Sequence, residues 1–241
     1  TRRSATLLGW GNPIRPGEMS LAHHGVLFLD ELLEFRRHVI EGMRQPLESG
    51  EVTICRARTR ATFPARPLLL AAINPCPCGY AGSDRPCTCR PHQIRQYQAR
   101  LSGPLLDRMD LSVKLQAVDV SALSRRAGGE AASSATVRTR VEAGRAIHAD
   151  RARRGEVSTP YNVALTPTDL DRVAAPDAAS LQLLSRVVQQ LGLSARGYMK
   201  LRRLARTLAD LEGATAVTER HFAEALGKRV LDTEPITALA S

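Results

Sequence analysis

Asp30 and Glu31 are adjacent carboxylates that close an apolar run, Gly25-Val26-Leu27-Phe28-Leu29. Four apolar residues in succession predict a strand buried on both faces. Such a strand presents its acids at the C-terminal edge of an open sheet, where ligands of α/β proteins bind. There Asp30 could hold the waters of a Mg2+ ion and Glu31 could polarise the water that attacks a γ-phosphate. A core strand followed by a solvated acidic turn accounts for the same residues. Pro67 to Ile73 reads as a second buried strand and ends at Asn74, so two strands are expected to deliver polar groups to one edge.

Five cysteines form a second constellation. Cys76-Pro-Cys78 and Cys87-Thr-Cys89 are two close pairs separated by the turn-rich stretch Gly79 to Pro86. Four thiolates on one loop suit a tetrahedral, structural Zn2+. The pairs are Cys-x-Cys rather than Cys-x-x-Cys, and free thiols are the alternative. A disulfide within either pair would be strained, and without a secretory signal the expected compartment is a reducing cytoplasm. His92 reads as a substitute ligand or a surface residue, Cys55 as a packed strand residue, and His23 and His24 as turn or packing residues. A third cluster is basic: Arg56, Arg58 and Arg60 crowd a hairpin whose arms are Glu51 to Arg56 and Arg60 to Phe63 and whose tip is Ala57-Arg58-Thr59. A solvated basic hairpin is the plainer reading of it.

The elements that must position these groups fall into two regions. Residues 1–120 mix strand-like and short helical patterns, with Val39, Ile40, Met43 and Leu47 on one helical face closed by Pro46 and Gly50. Residues 136–241 read as helices alone. Between them, 121–135 has the small, polar, glycine-containing composition of a linker. Thr166-Pro167-Thr168-Asp169 is a helix start. Leu181, Leu184, Val188 and Leu191 make one apolar stripe, and Leu201, Leu204, Leu208 and Leu211, after a Ser194 cap, make another. Phe222, Ala225, Leu226 and Val230 belong to a last helix. The arginines Arg138, Arg140, Arg145, Arg151, Arg153 and Arg154 read as the exposed face of a helix.

The chain has 241 residues, 43% of them apolar, and a net charge of +10. No apolar run approaches the roughly 18 residues of a membrane span, so a soluble globular chain with no membrane partner is expected. The charge is nearly all arginine, with lysine only at Lys114, Lys200 and Lys228. It favours phosphate-rich partners, although an arginine-rich composition can also reflect genomic base bias. The chain begins at Thr1 and contains no Gly-x-x-x-x-Gly-Lys-Ser/Thr loop to cradle phosphates, which predicts a C-terminal piece of a longer protein.

Taken together, the residues resemble the AAA+ ATPases of the magnesium-chelatase-like family, in its ComM/YifB branch. The resemblance lies in Arg15 to Leu32, Arg44 to Ile54, Ala72 to Tyr80, Leu101 to Asp110 and Leu193 to Leu211. It runs from about residue 9 to 231. Leu33 stands where the family usually has Pro, and Trp10 interrupts a usually glycine-rich stretch. The resemblance implies an α/β fold: a partial AAA+ P-loop core with a parallel sheet, helices and an inserted β-hairpin, then an all-helical lid domain.

It also implies roles. Asp30 and Glu31 match the Walker B acids that serve Mg2+ and ATP, and Asn74 matches sensor 1. Arg108 matches the arginine finger that reaches a neighbouring subunit's nucleotide, and Arg196 matches sensor 2 on the lid. From the residues alone, Arg108 and Arg196 would be surface or salt-bridge arginines. Arg56, Arg58 and Arg60 would grip the backbone of single-stranded or branched DNA in the pore of a homo-hexamer, positioning without reading sequence.

The function implied is an ATP-driven DNA motor, a branch-migration helicase of natural transformation, with this chain inactive by itself. The alternatives are a chaperone-like ATPase subunit of a magnesium chelatase and a non-catalytic, zinc-braced DNA-binding module.

Overall fold

The computed structural model describes residues 7–56, 59–115 and 133–229, with the side chains of residues 190 and 191 excepted. Arg58, Val230 and most of the expected linker lie outside the described residues. Two compact units divide at Met109 and Asp110.

The first unit begins with a short antiparallel pair, β1 (Gly9–Trp10) and β2 (Arg15–Pro16). Gly9 has φ +137°, and a Cβ there would meet the main-chain Arg15 O at 2.8 Å, so the backbone and the close approach both favour glycine. Then follow α1 (Glu18–Leu21), β3 (Val26–Leu29), a 3-10 turn at Leu32–Glu34, α2 (Arg37–Gly42) and α3 (Arg44–Ser49). The single helix expected around Val39 to Leu47 is thus two. Pro46 sits in the first turn of α3, where no amide bond is lost, and Gly50 ends it at φ +75°. β4 (Glu51–Arg56) and β5 (Thr59–Pro64) form the hairpin, whose pairing extends to Thr59. β6 (Leu68–Ala71), α4 (Pro91–Gln98) and α5 (Gly103–Leu106) complete the unit.

β3 and β6 pair in parallel, Val26 with Leu68 through Leu29 with Ala71. Leu27 and Leu29 are buried, but Val26, Phe28, Leu68 and Leu70 are exposed. The expectation of strands buried on both faces is therefore corrected: one face packs on the core, and among the described residues nothing covers the other.

The second unit is helical: α6 (Ser134–Arg153), a 3-10 turn at Asn162–Ala164, α7 (Pro167–Val173), α8 (Ala178–Leu191), α9 (Ala195–Leu211) and α10 (Glu219–Gly227). Caps set the starts. Thr166 and Asp169 form a reciprocal capping box on α7, Asp177 accepts from the Ser180 amide and Ser194 from the Gly197 amide. Leu170, Leu184, Leu201, Ala205 and Phe222 meet in the core. The α8 stripe is rotated from its expected position: Ser180, Leu184 and Val187 turn inward while Leu181 and Val188 face out.

Residues 134–143 of α6 are exposed throughout, and the helix first beds down at Gly144, against Leu211. Arg151 is a further correction. It is buried and bonded to Asp210, while Arg138, Arg140, Arg145, Arg153 and Arg154 are exposed as expected. Among the described residues no helix is long and apolar enough to cross a membrane.

Candidate functional site

The parallel register fixes where the acids go. Because Leu29 lies opposite Ala71, the residues that follow leave the sheet at the same edge, Asp30-Glu31 from β3 and Ala72 to Asn74 from β6. The ladder carries one step further, with the Ala72 amide donating to Leu29 O and the Leu32 amide to Ala72 O, both at 2.9 Å. Asp30, Glu31 and Asn74 are all exposed. Glu31 takes a left-handed backbone, φ 50° and ψ 47°, uncommon for a residue with a side chain. Its amide donates to Asp30 Oδ1 at 2.9 Å. The buried Leu32 and Leu33 anchor the turn beneath. An exposed acid in a costly conformation, on an anchored turn, is an arrangement suited to a ligand rather than to packing.

Arg108 is partly buried and paired. Its guanidinium pairs with Glu48 of α3 and donates to Pro104 O at 2.6 Å, beside an open groove of about 400 Å3 that Glu41, Arg44 and Gln45 also line. Arg196 is exposed in the first turn of α9, in the second unit. In the hairpin, Arg60 lies opposite Cys55 and Arg56 opposite Thr59. Directly paired residues share a face, so the two arginines project from opposite faces of the ribbon. Cys55 is exposed, not packed as expected. His23 Nδ1 accepts from the Arg66 amide at 3.1 Å, a turn role, and His92 is exposed on α4.

The four clustered cysteines do converge. Their Sγ atoms lie within 4.8 Å of one another, with Cys76 to Cys78 at 3.4 Å, Cys78 to Cys87 at 3.5 Å and Cys76 to Cys87 at 3.7 Å. Sulfurs about 2.3 Å from a shared tetrahedral zinc would be roughly 3.8 Å apart, so the residues fit that ion. Cys76 is fully buried and its Sγ accepts the Ala81 amide at 3.3 Å. Amide donors from Tyr80 and Thr88 hold the Cys78 thiol well down, at about 5. Burial pushes Cys89 up to about 12.

Sequence reasoning missed a charged knot in the second unit. Asp210 receives Arg151 at 2.5 Å, Arg206 at 2.8 Å and Asn162 at 2.8 Å, with His148 Nε2 at 3.0 Å. Arg206 and Asp210, four residues apart on α9, were the available signal.

The sequence model described as "Magnesium chelatase, subunit ChlI" matches residues 1–123, and that of its C-terminal part matches residues 131–229. The chain is 42% identical over 226 residues to competence protein ComM of Haemophilus influenzae, covering 93% of this chain and 43% of that protein. It is 40% identical over 228 residues to YifB of Escherichia coli, covering 94% and 43%. It is 28% identical over 213 residues to the magnesium-chelatase 38 kDa subunit of Acidiphilium rubrum, covering 86% and 52%. The chain thus spans less than half the length of the ComM and YifB relatives it matches. With a mixed α/β unit followed by a helical one, and both family models matched in that order, the chain belongs to the magnesium-chelatase-like family of AAA+ ATPases, in its ComM/YifB branch.

Proposed function

We propose that this chain carries the hydrolytic edge of an ATP-driven, ring-forming motor that acts on DNA in the cytoplasm, a branch-migration helicase of the ComM kind. The observation that supports it most is the β3–β6 register, which brings Asp30, Glu31 and Asn74 to one sheet edge with Glu31 held left-handed. Asp30 would hold Mg2+, Glu31 would polarise the attacking water and Asn74 would orient it. Arg108 would serve a neighbouring subunit's nucleotide in a homo-hexamer, after leaving Glu48, and Arg196 would sense nucleotide from the helical unit. Hydrolysis also needs a phosphate-cradling loop, which these residues lack, so the activity is proposed for a protein that has one. Cys76, Cys78, Cys87 and Cys89 would hold a structural Zn2+. The exposed Arg56 and Arg60, with Arg58 between them in sequence, and the charge of +10 suit DNA backbone.

The test is hydrolysis by a protein that includes the phosphate-cradling loop. Glu31→Gln should cut turnover by about 10²–10⁴-fold while ATP still binds, and undiminished turnover would remove Glu31 from this role. Arg108→Ala should also stop hydrolysis, and mixing it with Glu31→Gln subunits should restore some if the arginine acts between subunits. Metal analysis of untagged protein should find near one zinc per chain, lost when Cys76 and Cys78 become Ser. Replacing Arg56, Arg58 and Arg60 with Ala should flatten the salt dependence of DNA binding by roughly one unit of log–log slope per phosphate contact. Unchanged affinity and slope would favour a chaperone-like role of the magnesium-chelatase kind, the reading supported by the likeness to the 38 kDa subunit.

A further inference from the structure

We propose that the C-terminal end of α4 is a positioning element that sets the two segments carrying Asp30-Glu31 and Asn74 against each other. The inference rests on the hydrolytic reading of those three residues. The main-chain ladder between the segments reaches as far as the Leu32 amide on Ala72 O. Beyond it, two side chains from one helix end take over. Gln98, the last residue of α4 and 4% exposed, donates Nε2–H to Pro75 O at 2.8 Å, one residue past Asn74. Arg100 donates Nη1–H to Leu33 O at 2.6 Å, two residues past Glu31. Arg100 is itself held. It lies 5.5 Å from the centroid of the buried Tyr97 ring, and Glu34 is 4.0 Å away.

The other end of α4 is fixed as well. Arg90, the cap residue, follows Cys89 directly, and its amide donates to Gln93 Oε1 at 2.8 Å. The chain therefore leaves Asn74, passes through Pro75 into the cysteine cluster, emerges as α4 and returns Gln98 to Pro75. That closed frame pins one segment, and Arg100 extends it to the other. Phosphoryl transfer depends on positioning, and a misplacement of about 1 Å can cost on the order of 10²-fold in rate.

The experiment measures hydrolysis by a protein that carries the phosphate-cradling loop, with four variants. Gln98→Glu keeps the shape and replaces the donor with an acceptor facing a carbonyl, Arg100→Met keeps the stem without a donor, and Arg100→Lys keeps a donor. Glu31→Gln runs alongside. Gln98→Glu and Arg100→Met should each lower kcat about tenfold with KM for ATP within about twofold, and Arg100→Lys should recover most of the loss. Hydrogen exchange of the Leu32 and Ala72 amides should quicken in the two impaired variants. The Arg100 side chain is 42% exposed, so its two variants keep the fold and decide the question even where Gln98→Glu does not. Wild-type kcat in Arg100→Met, or equal impairment in Arg100→Lys and Arg100→Met, overturns the proposal. If Glu31→Gln is inactive while Arg100→Met turns over normally, the positioning role alone falls; if Glu31→Gln is fully active, the hydrolytic reading falls with it.

Discussion

In the first unit the adjacent carboxylates Asp30 and Glu31 stand in solvent at a strand end, one of them on a left-handed backbone. In the second, Asp210 is sealed inside a helical bundle, with Arg151, Arg206, Asn162 and His148 around it. The same chemical group is exposed and conformationally costly in one place, buried and fully bonded in the other. The difference separates an acid held at the surface at a conformational cost, as the proposed hydrolytic role needs, from an acid placed for architecture.

The sharpest way to break that comparison is to remove the buried acid. Asp210→Ala leaves Arg151 and Arg206 without their counterion and should cost about 3–5 kcal/mol. Thermal unfolding of the helical unit should then fall by more than about 12 °C. A smaller shift would mean the knot is dispensable.

Acid should act on the same unit. Burial alone would raise the Asp210 carboxyl, but the bonds from His148, Arg151 and Asn162 and the charge of Arg206 hold it well below the usual range. Hydrogen bonds from Ser158 and Thr166 depress Asp169 likewise, and Arg220 holds Glu212 at about 2. Each folded value is below its unfolded one. The stabilisation is therefore full above the ordinary carboxylate pKa of about 4 and is lost as pH falls through the folded values. Melting curves of the helical unit should hold level above about pH 5 and drop steeply between about pH 4 and 2. Asp210→Asn should make that drop shallower, from a lower starting point.

The exposed acid should behave in the opposite sense. Glu31→Gly relieves the left-handed backbone and should leave stability unchanged or raise it by up to about 1 kcal/mol while abolishing hydrolysis. Denaturant titration reads the first effect, and clear destabilisation would show that Glu31 carries no strain. The smallest effect is expected on the outer face of α8. Val188→Gln should change stability by less than about 0.5 kcal/mol, because Val188 faces solvent.

Much of the candidate site's geometry was legible in the sequence because it is written in local patterns. An apolar run ending in Asp30-Glu31, a second ending at Asn74, two cysteine pairs and the Thr166 capping box each declare themselves within a few residues. What stayed hidden depends on partners far along the chain. The exposure of Phe28 and Leu70 follows from what packs over that face of the sheet, which an apolar run does not encode. The pairing of Arg108 with Glu48 spans 60 residues, and that of Arg100 with Leu33 spans 67. Arg151 looked like its exposed neighbours on α6 because arginine is rarely buried without a carboxylate, and its carboxylate is 59 positions away.

The long helix α6 has a mechanical consequence. Its 20 residues form a rod about 30 Å long, bedded at Gly144 and Arg151 and, among the described residues, exposed from residue 134 to 143. A rod seated at one point pivots as a lever. A tilt of about 10° at Gly144 would carry Ser134 through roughly 2.5 Å, so a repacking too small to disturb the bundle core would register as a displacement of atomic-contact size at Ser134.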